Sequence, residues 1–64
     1  MATVTRIITR LDIAQTASLC AIEYNTGGLY ARKYEERMYK AQTTDECLAI
    51  EREALEAWAN QRML

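Results

Sequence analysis

No histidine, no proline and no phenylalanine occur among the 64 residues, and glycine and cysteine appear only twice each. Without histidine, the usual nucleophile–base pairs and zinc ligand sets lose their commonest member. Without proline, nothing stiffens or kinks an element from within. The chain is therefore expected to be non-enzymatic and to carry no cofactor and no metal. Cys20 and Cys47 fall in two separate apolar stripes. They read as two small buried side chains in a reducing compartment, with a disulfide or a reactive thiol as the alternative. No apolar run reaches the roughly 20 residues that span a bilayer, and the start Met1-Ala2-Thr3-Val4-Thr5-Arg6 has no unbroken apolar core of signal-peptide length. A cytoplasmic protein with no membrane partner is the expectation.

What is present is half hydrophobic and 27% charged, with net charge -1. For so short a chain, the gain from burial and the cost of ordering are both on the order of 90 kcal/mol and nearly cancel. Contact with another copy is the simplest source of extra buried area, so a homo-oligomer is expected. Residues 1–42 carry a net +2 and residues 43–64 a net -3. That asymmetry suits contact between copies, although solvated helix faces produce it as well.

Two punctuation points divide the chain. Asn25-Thr26-Gly27-Gly28 predicts a helix stop and a reversal, because glycine accepts the left-handed backbone that ends a helix. Thr43-Thr44-Asp45-Glu46 predicts a helix start, with Thr43 and Glu46 at capping-box spacing. The fold class read from this pattern is all-α, a single helical domain over 1–64 that joins a homo-oligomeric bundle. Its approximate helices are 11–25, 29–42 and 44–62, with 1–10 extended or frayed. The β-branched run Val4-Thr5-Arg6-Ile7-Ile8-Thr9 favours the extended start.

The first helix is apolar around most of its circumference, which predicts a central position touching two neighbours or a second subunit. Ile13, Ala17, Cys20, Ala21 and Tyr24 fall on one side, while Leu11, Ser18 and Ile22 extend the apolar surface around a neighbouring side. In the second helix Tyr30, Tyr34, Met38 and Ala41 share a face, and Glu36 with Lys40 forms an i,i+4 pair. The third repeats Cys47, Leu48, Ile50, Ala54, Leu55, Ala57 and Trp58 at helical spacing.

Six residues stand out as interface or partner-binding candidates: Tyr30, Tyr34, Tyr39, Arg37, Glu51 and Trp58. Tyrosine and tryptophan combine apolar area with one polar end, which suits surfaces that are dry when bound and wet otherwise. Glu51 sits inside the third helix's apolar arc. It either lies along an edge of that arc or, if buried, takes a basic partner such as Arg37 or Arg10. Arg32, Lys33, Arg37 and Lys40 interleave with the tyrosines, which resembles the composition of a nucleic-acid face, although a solvated face produces it as well, and Gly27-Gly28 reads as a turn rather than a phosphate loop.

The functional expectation is a small helical protein that self-associates and acts by binding another protein, as a regulator, inhibitor, adaptor or assembly subunit. An alternative follows from element order. A short strand (Thr3 to Thr9), a helix, a glycine-containing turn and a second helix together resemble the ribbon-helix-helix repressors. That resemblance implies a dimeric DNA-binding transcriptional regulator whose paired strands enter the major groove, with Thr5, Arg6, Thr9 and Arg10 as the nucleic-acid contacts. It covers about two thirds of the chain and matches no specific motif; the third long helix and the acidic carboxyl segment depart from it.

Overall fold

The computed structural model describes residues 8–62. Three helices make an all-α compact unit: α1 (Arg10–Thr26), α2 (Gly28–Lys40) and α3 (Thr44–Arg62). α1 lies at the centre and packs against both α2 and α3, which touch each other less. This central place is the one its all-round apolar character predicts.

Each helix end has a local chemical cause. Thr9, extended at φ -93° and ψ 168°, caps α1: its hydroxyl accepts from the Asp12 amide at 3.1 Å, and the Asp12 carboxylate accepts from the Thr9 amide at 3.0 Å. A cap of this kind contributes about 1 kcal/mol. The helix therefore starts at Arg10, which the sequence pattern assigns to the extended or frayed segment. Of that segment only Ile8 and Thr9 are described as non-helical, and the predicted strand otherwise lies outside the described residues.

Gly27 alone separates α1 from α2. Its φ of +99° is a backbone state that side chains resist, and its amide donates to the Glu23 carbonyl at 2.7 Å while its carbonyl accepts from the Ala31 amide at 3.1 Å. α2 ends at Lys40, two residues before the expected limit. The Gln42 amide is drawn instead to the Glu46 carboxylate at 2.9 Å, while the Glu46 amide donates to the Thr43 hydroxyl at 3.1 Å. The box predicted at Thr43 thus forms with its reciprocal bond shifted one residue toward the amino terminus.

The core is Ile22, Ala31, Met38, Ala41, Cys47 and Ala54, with Leu11, Ala14, Leu19, Tyr30, Tyr34 and Ile50 packed around it. Two polar residues are buried with it, Gln15 and Ser18. The Gln15 amide nitrogen donates to the Tyr39 and Ala41 carbonyls at 3.4 and 3.3 Å, tying the middle of α1 to the end of α2. That bond satisfies carbonyls a helix end would otherwise leave orphaned.

Of the two apolar sides of α1, only one is covered by the chain's own helices. Leu11, Ser18 and Ile22 turn inward with Gln15, whereas Ile13, Ala17, Cys20 and Tyr24 are exposed. At about 100° per residue these two sets stand on opposite faces of the helix, not on adjoining ones. The inner face is the one whose Gln15 finds backbone acceptors at the end of α2. Cys20, expected to be buried, is consequently exposed; Cys47 is fully buried. Leu48, placed by periodicity in the α3 stripe, is 56% exposed.

Candidate functional site

Two surfaces attract attention, and they lie on different helices. The first is aromatic. Tyr30, four residues before Tyr34 and so on the same face of α2, meets the Tyr34 ring at 5.6 Å and the Trp58 ring of α3 edge-on at 5.2 Å. Edge-on and tilted geometries at such distances are the favourable ones for ring quadrupoles. Cations of α2 cover the outer side: Lys33 Nζ stands 5.0 Å from the Tyr30 ring centre and the Arg37 guanidinium 5.7 Å from that of Tyr34. Burial, and next the neighbouring Tyr30, raises the Tyr34 hydroxyl above its ordinary pKa.

Arg37 also forms a two-pronged ion pair with Glu53 of α3, its second nitrogen at 3.3 Å from Oε1. The pair holds the Glu53 carboxyl below its ordinary value, chiefly through the hydrogen bond from Arg37. Thus Tyr30, Tyr34, Arg37 and Trp58 come together at the α2–α3 junction. Tyr39 does not join them; it is 59% exposed, away from the stack. The Glu36–Lys40 pair forms as the spacing predicts, at 2.9 Å and in the open.

Glu51 does not take Arg37 as its partner, because Arg37 is engaged by Glu53. It lies partly exposed along the α3 edge, beside an open hollow lined also by Leu48, Arg52 and Leu55. Of the residues named for groove contact, Thr5 and Arg6 lie outside the described residues. Thr9 spends its hydroxyl on the α1 cap, and Arg10 is the first helical residue.

The second surface is the outer face of α1, part of the apolar circumference that the sequence pattern assigns to a neighbouring helix or a second subunit. Ile13 is 59% and Tyr24 90% exposed, with Ala17 and Cys20 exposed between them. Beside it runs an open groove of about 470 Å³ lined by Ile8, Asp12, Ile13, Thr16 and Ala17. Among the described residues no cluster of three or more histidine, cysteine or acidic side chains is placed to hold a metal, and no helix is long and apolar enough to cross a membrane.

Comparison with protein-family models, with curated proteins and with solved structures finds no match to this chain. The functional reading therefore rests on the two surfaces themselves.

Proposed function

We propose that the protein is a non-enzymatic helical unit that self-associates and acts by binding another protein. One observation carries the reading: the central helix, already packed on two sides by its own chain, presents a second apolar face to solvent at Ile13, Ala17, Cys20 and Tyr24. A helix apolar on opposite faces is ordinarily covered on both. The aromatic junction of Tyr30, Tyr34 and Trp58, rimmed by Lys33 and Arg37, supports the second half of the proposal. Half-buried aromatics beside arginine are the composition of binding hot spots.

Solution mass measured by light scattering from micromolar to millimolar concentration tests the self-association. A mass that rises with concentration supports it, and a constant monomer mass removes it. For partner binding, the protein is used as bait beside a Tyr34→Ala, Trp58→Ala variant. Stoichiometric capture of one protein by the unaltered chain and not by the variant is the expected result. Salt-sensitive retention on duplex DNA would instead favour the repressor-like reading.

A further inference from the structure

Two open hollows flank the start of α2, and they differ in charge. The one toward α1 is lined by Glu23, Arg32 and Glu35, so its cation is outnumbered. The one toward α3, of about 450 Å³, is walled by Leu29, Tyr30 and Trp58 over the Gly27-Gly28 turn. Lys33 is the sole charged residue among the described ones that line it. Tyr30 and Trp58 already meet edge-on at 5.2 Å, so the wall is set before anything binds. Leu29, 84% exposed, carries that wall out into solvent. Lys33 Nζ stands 5.0 Å from the Tyr30 ring centre and makes no ion pair among the described residues, whereas Arg37 is taken by Glu53 and Lys40 by Glu36. We propose that this hollow receives an acidic segment of a protein partner, with a large apolar side chain against Leu29 and Trp58 and a carboxylate beside it facing Lys33. The inference rests on the partner binding proposed above and gives the chemistry of that partner.

The surroundings keep the hollow at one sign. The first turn of α2 holds no acidic residue, so nothing there offsets the positive pole of the helix. On α3, Arg62 follows one turn after Trp58 on the same side and sits against that helix's negative pole. Charge of this kind selects among partners more than it tightens any one of them. A nucleic-acid strand fits less well, because its backbone calls for a row of free cations and the next two along this side, Arg37 and Lys40, are already paired. The volume lies in the range that takes a large side chain rather than an extended surface, so the contact is with a short segment and of the weak class.

Trp58 is the chain's sole tryptophan, so its fluorescence reports on the hollow directly. The probe is the end-capped peptide Asp-Glu-Phe-Leu-Glu-Asp, titrated into the millimolar range. It should shift the Trp58 emission saturably, and added salt should weaken the effect. The same peptide with lysine at every acidic position, or with serine in place of Phe-Leu, should leave the emission unmoved. Lys33→Glu should weaken binding about tenfold and Leu29→Ser by a similar factor, while Lys33→Arg retains it. Helicity should be unchanged in all three, because both positions are exposed. If the acidic peptide has no effect while capture of a protein sensitive to Tyr34→Ala, Trp58→Ala persists, this chemistry falls and the partner-binding reading stands. If that capture fails as well, both fall. An equal response to the lysine peptide, or indifference to Lys33→Glu, overturns the acidic partner. A single-stranded oligothymidylate that shifts Trp58 at lower concentration than the peptide puts a nucleic acid in the hollow and overturns the protein segment.

Discussion

The two faces of α1 differ in a way opposite to what composition suggests. The inward face holds Leu11, Gln15, Ser18 and Ile22, while the outward one holds Ile13, Ala17, Cys20 and Tyr24, the less polar set. Burial here follows contact rather than composition: Gln15 reaches two backbone carbonyls of the α2 end. The sharpest way to break this comparison is to truncate one isoleucine from each face. Ile22→Ala empties a fully buried position and should cost about 2–5 kcal/mol. Ile13→Ala in dilute solution should stay within about 0.5 kcal/mol, as exposed substitutions do. Thermal or urea unfolding measures both. Equal losses at low concentration would mean that the faces are not distinct. If copies pair through the outer face, the Ile13→Ala cost should grow with protein concentration.

Gln15 sharpens the contrast from the polar side. Gln15→Ala removes the donor to the Tyr39 and Ala41 carbonyls and should destabilise by about 1–3 kcal/mol. Unfolding midpoints at constant slope read it directly. A loss below about 0.5 kcal/mol would show that water replaces the amide and that the clamp is not what sets the α1 rotation.

Helix positions were legible in the sequence because their signals are local. Gly27 ends α1 with a backbone state other residues resist, and Thr43 with Glu46 opens α3. Thr9 and Asp12 carry the same three-residue cap spacing, but the cluster of threonines around them reads equally as an extended segment. The rotation of α1 was not legible, because a helix apolar on opposite faces offers two solutions that periodicity cannot rank. The Gln15 contact that favours one of them lies 24 to 26 residues away in sequence. The aromatic candidates Tyr30, Tyr34 and Trp58 were legible as a set, since each lies on its helix's apolar arc. The partner of Arg37 was not. Glu53 and Glu51 differ by two residues, about 200° around the helix, and interhelical register alone decides which of them faces α2.

Gly27 tests how far the turn fixes the same arrangement. Gly27→Ala meets no atom within 4 Å, so its effect comes from the backbone alone; φ +99° with ψ 164° is an extended positive-φ state kept almost to glycine, and about 1–3 kcal/mol is expected. Gly28→Ala, also in open space but with an ordinary helical backbone, should be neutral or slightly stabilising. The difference between the two in thermal unfolding isolates the positive-φ requirement. Equal behaviour would mean that the linker relaxes.

The smallest effect belongs to the ion pair across the α2–α3 junction. Glu53 has its carboxyl pKa lowered by Arg37, so its contribution to stability is complete above its ordinary value of 4.5 and is lost as pH falls through the lower folded value. Arg37, raised from an already high value, stays charged throughout and adds no pH dependence in that range. Both side chains are about half exposed, so solvent and salt screen the pair. Glu53→Gln should therefore lower the midpoint at neutral pH by less than Gln15→Ala does. The gap from the unaltered chain should close in acid and narrow in high salt. A gap that persists unchanged below the carboxylate range would assign the effect to side-chain packing at the α2–α3 contact rather than to charge. That would leave the Gln15 clamp between α1 and the end of α2 as the side-chain polar contact that fixes one helix against another among the described residues.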